Sequence, residues 1–76
     1  MRLSDGKKYK SYKIGKIQLD EAVIRRLHTL GMTSGTIINV LNLKKAGPMI
    51  VKVRGTRFAL GRGFCEGIFV EEACDD

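Results

Sequence analysis

Tryptophan is absent from this 76-residue chain, which also has only one proline, one histidine and two cysteines, and each shortage removes a class of protein. Two cysteines, Cys65 and Cys74, fall short of the four or more that staple a small secreted domain, so no Cys65–Cys74 bridge is expected. A structural zinc site wants four ligands at close, characteristic spacing. His28 lies far from both cysteines in sequence and on a predicted helix, so these three residues do not compose such a site. Long hydrophobic runs are missing as well. No stretch approaches the ~18 apolar residues of a membrane-spanning helix, and the start MRLSDGKKYK lacks the apolar core of a secretion signal. The expectation is a cytoplasmic protein with no direct membrane insertion.

Catalytic patterns are also wanting. No phosphate loop of the form GxxxxGKS occurs, no serine or cysteine nucleophile is paired by motif with His28, and no carboxylates cluster outside the C-terminal tail. Gly61-Arg62-Gly63 follows Leu60 directly and lacks the lysine a phosphate cradle needs; it reads as a strand-to-turn corner. A chain this short forms one domain and buries roughly 60% of its unfolded surface, which leaves little room for a deep enzyme cleft. Binding without catalysis, and without a cofactor, is the expected mode.

Positive charge is plentiful but localised. Residues 1–16 carry net +5 of the chain's +6, through Arg2, Lys7, Lys8, Lys10, Lys13 and Lys16 against Asp5. A lysine-rich first strand reads as a charged sheet edge that discourages strand-to-strand association. Tyr9 and Tyr12, interleaved with those lysines, would be the stacking platform of a single-strand nucleic-acid binder, but the rest of the chain is nearly neutral and such a groove gathers cations from several strands. The tail from Glu71 to Asp76 has the opposite sign and could fold back towards the basic arm.

Periodicity supplies the elements. Ser11 to Ile17 reads as a first strand, and Asp20 as the cap of a helix in which Leu19 and Ile24 form a hydrophobic staple. Val23, Ile24, Leu27 and Leu30 fall on one stripe to be buried, Arg25 lies opposite, and His28 sits at the stripe's edge. Gly31 supplies a left-handed stop with Met32 folding back on Leu27, and Thr33-Ser34-Gly35 makes a second turn. Strands follow at Thr36 to Leu43, from Met49 to Arg54, at Arg57 to Leu60 and at Gly67 to Glu71, joined by the loop Lys44 to Pro48, by Gly55-Thr56 and by one helical turn at Arg62 to Glu66. The fold expected is mainly β: a small, partly open SH3-like barrel of about five strands with one α-helix inserted after the first. An oligonucleotide-binding barrel is the nearest rival. The whole chain forms this single domain, its core spanning about residues 11–71 between the basic arm and the acidic tail.

The run from Arg25 to Thr36, RRLHTLGMTSGT, together with Val51 to Gly55, Ala59-Leu60 and Ile68-Phe69-Val70, resembles the FeoA family. That resemblance implies an SH3-like cytosolic domain serving bacterial ferrous iron uptake, in contact with the cytosolic part of FeoB, a membrane iron permease. It also relates the chain to the C-terminal domain of DtxR-type metal-dependent repressors, and it carries at most weak or transient divalent metal binding. Cys65 stands where the family usually has alanine, which favours a buried small residue. Gly61 replaces a common arginine, and Lys7-Lys8-Tyr9 replaces a common Pro-Gly turn. The partner-binding surface expected comprises Arg25, Arg26 and His28 on the helix together with Lys44 and Lys45 in the loop. Nucleic acid is not expected as a partner.

Overall fold

A computed structural model describes residues 1–43 and 47–73. After a short 3-10 turn at Leu3–Asp5, the order is β1 (Ser11–Ile17), α1 (Glu21–Thr29), β2 (Ile37–Leu43), β3 (Met49–Val53), β4 (Thr56–Leu60), α2 (Arg62–Glu66) and β5 (Ile68–Glu72). The five strands form one antiparallel sheet in the order β4-β3-β2-β1-β5. This is the expected mainly β architecture, with its helix after the first strand.

The sheet order corrects one expectation. β1 lies between β2 and β5, so its lysines do not guard an edge; the edges belong to β4 and β5. Tyr12 and Ile14 point inward and are fully buried, whereas Lys13 and Lys16 are exposed on the other face. Period-two alternation sets Lys13 opposite Tyr12 and Ile14 in any strand with one wet face, interior or edge, and the register shift after Ile14 turns Lys16 outward as well. Lys13 stands across from Glu71, and Lys10 Nζ lies 3.9 Å from a Glu72 carboxylate oxygen, so the start of the acidic tail does meet the basic segment.

Two register shifts bend the sheet. One falls between Ile14 and Lys16, the other between Val40 and Asn42. Each leaves an extra residue that twists its strand. At the first, the Gly15 carbonyl accepts the Ser34 hydroxyl at 2.9 Å, while the Gly35 N–H donates to Ile14 at 2.7 Å. Inside the sheet, Met49, Val51 and Val53 from β3 meet Ile38 and Val40 from β2, all essentially inaccessible, as the alternation predicts. Ile68, Val70 and Cys65 close the other side.

Helix α1 stops where glycine was expected to stop it. Gly31 has φ +92, its N–H donates to the His28 carbonyl at 3.0 Å, and Met32 N–H reaches back to Leu27 at 2.9 Å. This pair of bonds satisfies otherwise unpaired carbonyls at the helix end, and Met32 is completely buried. The N-terminus differs from expectation: Asp20 makes no side-chain capping bond. It is exposed and favours the helix only by charge at the positive end of the macrodipole. The buried stripe is also narrower than the spacing suggests. Leu27 is buried and Val23 and Ile24 are half-buried, but Leu30 remains 38% exposed.

The β3–β4 turn is Arg54-Gly55 rather than Gly55-Thr56. Val53 pairs directly with Thr56, and the two turn residues have φ values of 51 and 83. Positive φ at both positions matches the twist of the flanking strands.

Candidate functional site

α1 divides the expected partner-binding residues between two faces. Arg25 donates to Glu21 at 3.0 Å, one helical turn away, with both side chains mostly exposed. His28, three residues further on, shares that outer side. Arg26 is rotated by about 100° from Arg25 and borders the space between α1, β4 and α2. Lys44 and Lys45 lie outside the described residues.

Beside Arg26 runs a groove of about 270 Å³ lined by Val23, Leu27 and Leu30 from α1, Ala59 and Leu60 from β4, and Phe64 from α2. Its lining is mostly apolar, and two large side chains stand open to solvent in it, Leu30 at 38% and Phe64 at 45%. Both have local causes. Leu30 is the last residue before the left-handed glycine, at the helix end, where its N–H is shared between the Arg26 and Leu27 carbonyls. Phe64 belongs to a five-residue helix whose inward position is taken by Cys65, so the neighbouring phenylalanine turns outward.

Sequence reasoning placed Leu30 in the core and assigned Phe64 no role. A signal for Phe64 was present: a single helical turn flanked by glycines at 61, 63 and 67 can bury only one side, and Cys65 is the small residue that fits. The groove-lining role of Ala59 had no signal, because it depends on β4 being an edge strand.

Two other features bear on chemistry. Cys65 is fully buried, its Sγ 4.0 Å from Met49 Sδ and 3.9 Å from the Leu60 carbonyl oxygen. Burial raises its thiol pKa from 9.0 to about 11, with Arg62 opposing and Glu66 adding to the rise. Such a thiol is an inert packing group rather than a nucleophile. The tyrosine pair does not form a stacking platform: Tyr12 is completely buried and its hydroxyl accepts the Lys7 N–H at 2.8 Å, whereas Tyr9 is 78% exposed. Among the described residues no group of three or more His, Cys, Asp or Glu side chains is placed to hold a metal ion, and no helix is long and apolar enough to cross a membrane.

Comparison with known proteins agrees with this architecture. The family model for the FeoA domain matches residues 1–72. A Methanocaldococcus jannaschii protein named as a candidate Fe(2+) transport protein A is 32% identical over 60 residues, covering 79% of this chain and 72% of that protein. The solution structure of FeoA from Chlorobium tepidum superposes with a TM-score of 0.90 at 31% identity, over 100% of this chain and 73% of that one. The zinc complex of Stenotrophomonas maltophilia FeoA, described as a prokaryotic SH3 domain protein, gives 0.82 at 28% identity over 93% and 89% of the two chains. With the expected succession of strands and helix, the left-handed helix stop and a model match over nearly its whole length, this chain belongs to the FeoA family, which is associated with ferrous iron transport.

Proposed function

We propose that this domain is a non-enzymatic accessory of ferrous iron uptake, docking on the cytosolic part of a FeoB-like permease through the groove side of α1. The observation that carries this reading is the apolar groove itself. A chain this small exposes few large apolar side chains, and two of the five that are open among the described residues, Leu30 and Phe64, meet in one groove with a cation, Arg26, on its rim. An apolar centre with a polar border is the ordinary anatomy of a docking patch. Membership of a family associated with ferrous iron transport supports a permease of that system as the partner. The partner's place at the membrane puts this domain on the cytoplasmic face, and the reading needs no resident metal or cofactor.

Arg25 is engaged with Glu21 and faces away from the groove, so Arg26 is the arginine that contributes to docking. The test is titration calorimetry against the purified cytosolic domain of the permease. Leu30→Ser, Phe64→Ser and Arg26→Glu should each weaken binding at least tenfold, the loss that accompanies about 1.4 kcal/mol at a hot spot. Arg25→Glu should change it little. Equal effects of Arg25→Glu and Arg26→Glu would move the contact to the outer helix face, and absence of binding by the unaltered chain would overturn the reading.

A further inference from the structure

The segment Lys7-Lys8-Tyr9-Lys10 is built as a rigid display. Lys10 N–H closes the turn on the Lys7 carbonyl at 3.3 Å, Lys7 N–H donates to the buried Tyr12 hydroxyl at 2.8 Å, and Tyr9 N–H donates to the Val40 carbonyl at 2.7 Å. Val40 N–H returns a bond to the Lys10 carbonyl at 3.0 Å. Gly6 permits the close approach beneath: a Cβ there would lie 2.9 Å from the Leu3 carbonyl oxygen and 3.2 Å from the Tyr12 ring. The backbone is thus pinned from both sides while all four side chains point outward.

Tyr9 is the residue that folding does not explain. It sits third in the turn with φ 66, a left-handed position suited to glycine or asparagine. A tyrosine there is strained and recovers little by burial, since it is 78% exposed; among the described residues the Lys8 ammonium lies over its ring, 5.0 Å from the ring centre. Charge around it is unbalanced. Glu72 reaches Lys10, and Glu71 stands across from Lys13, but Lys7 and Lys8 have no carboxylate within ion-pair distance among the described residues.

We propose that this turn is a contact for an anionic phospholipid surface, with the lysine ammonium groups on the phosphates and the Tyr9 ring at headgroup level. Tyrosine favours that depth because its ring is apolar and its hydroxyl wet, and lysines beside a membrane are held by the negative surface potential. A nucleic-acid strand fits less well: successive bases need successive platforms, and the only other aromatic of the segment, Tyr12, is buried with its hydroxyl engaged. The contact needs no protein partner, so it stands or falls separately from docking on the permease.

The test is co-sedimentation of the full chain with vesicles of mixed phosphatidylglycerol and phosphatidylcholine, against vesicles of phosphatidylcholine alone. Binding should be confined to the charged vesicles and should vanish in about 0.5 M NaCl, where the screening length is a few ångströms. Lys7→Gln and Lys8→Gln should each lower partitioning about fivefold. Tyr9→Gly removes the strained backbone position together with the ring, so it should lower partitioning while leaving the melting temperature equal or higher. Equal binding to both vesicles, or binding to neither, overturns the proposal. Unchanged partitioning of Tyr9→Gly removes the tyrosine from it, and tight binding of an oligo-dT strand without vesicle binding replaces it with the nucleic-acid reading.

Discussion

The side chain of Arg54 lies over Gly31: a Cβ built on the glycine would meet Arg54 Cδ at 3.4 Å and Nε at 3.7 Å. Both residues are left-handed, with φ 51 and 92, and they belong to different devices, the β3–β4 turn and the stop of α1. The contact ties the tip of the hairpin to the helix end where peptide dipoles leave partial negative charge.

Arg54 therefore stabilises through its side chain while its backbone costs energy, and substitution separates the two. Arg54→Ala keeps the left-handed strain and loses both the packing on Gly31 and the charge at the helix end, so it should destabilise by about 1 kcal/mol. Arg54→Asn loses the same contacts, but asparagine tolerates positive φ, so its cost should be smaller than that of alanine. Urea unfolding of the two variants in parallel checks the order. If alanine proves the milder change, the strain at position 54 is negligible.

Glycines 63 and 67 flank Phe64 to Glu66 and should respond oppositely to alanine. Gly67 has φ −95, which any residue can adopt, yet a Cβ there would fall 2.4 Å from Leu19 Cδ2 and 2.7 Å from the Gln18 carbonyl oxygen. Leu19 can move, but the carbonyl cannot, because the neighbouring Gln18 N–H is bonded to Gly67 itself at 2.7 Å. Gly67→Ala should cost about 1–3 kcal/mol. At Gly63, within α2, nothing lies within 4 Å of a new Cβ, so Gly63→Ala should stabilise by about 0.5–1 kcal/mol. Melting curves distinguish the two directly.

What the sequence revealed follows from how local each cause is. The helix stop at Gly31, the burial of Met49, Val51 and Val53, and the helical turn after Gly61 depend on neighbours within a few residues, and all occur where pattern and turn chemistry placed them. The charged-edge reading of β1 failed because it depends on which strand lies alongside, which period-two alternation does not encode. The groove was hidden for the same reason. Leu30 is on the apolar stripe of α1, but whether that stripe is covered depends on how far β4 extends beneath it, and β4 ends the sheet at that side. Arg25 and Arg26 look equivalent in sequence and differ only because one helical step of about 100° brings Arg26 to the rim of the groove and leaves Arg25 away from it.

Tyr12 links the core to the Lys7–Lys10 turn, and its hydroxyl can be removed without altering the packing of the ring. Tyr12→Phe deletes the 2.8 Å bond from Lys7 N–H and should cost about 0.5–1.5 kcal/mol. The freed donor is on an exposed residue, where water can replace the lost acceptor, so the low end of that range is expected. Amide hydrogen exchange should accelerate at Lys7 and remain slow at Val51 in the sheet. Uniform acceleration across both would mean that Tyr12 acts through global stability alone.

Cys65 gives the chain a pH dependence whose sign follows from its burial. Its thiol is neutral when protonated, and the folded protein holds that proton up to about pH 11, against 9.0 for the ordinary group. Between those values the unfolded chain releases the proton while the folded chain retains it, so rising pH favours unfolding. The stability that burial of the neutral thiol confers is thus complete below pH 9 and is lost by about pH 11, at no more than about 1.4 kcal/mol per pH unit. The measurement is a difference, so that contributions from the rest of the chain cancel: urea unfolding of the Cys74→Ser chain against the same chain also carrying Cys65→Ala. The gap between the two should shrink as pH rises from 9 to 11, because alanine has no proton to lose. The same background gives a kinetic check near neutral pH, where iodoacetamide should label Cys65 only as fast as the protein opens, since Sγ is enclosed by Met49 and the Leu60 carbonyl. Rapid labelling of the folded chain would show that the thiol reaches solvent without unfolding, and the expected pH slope would then be absent as well.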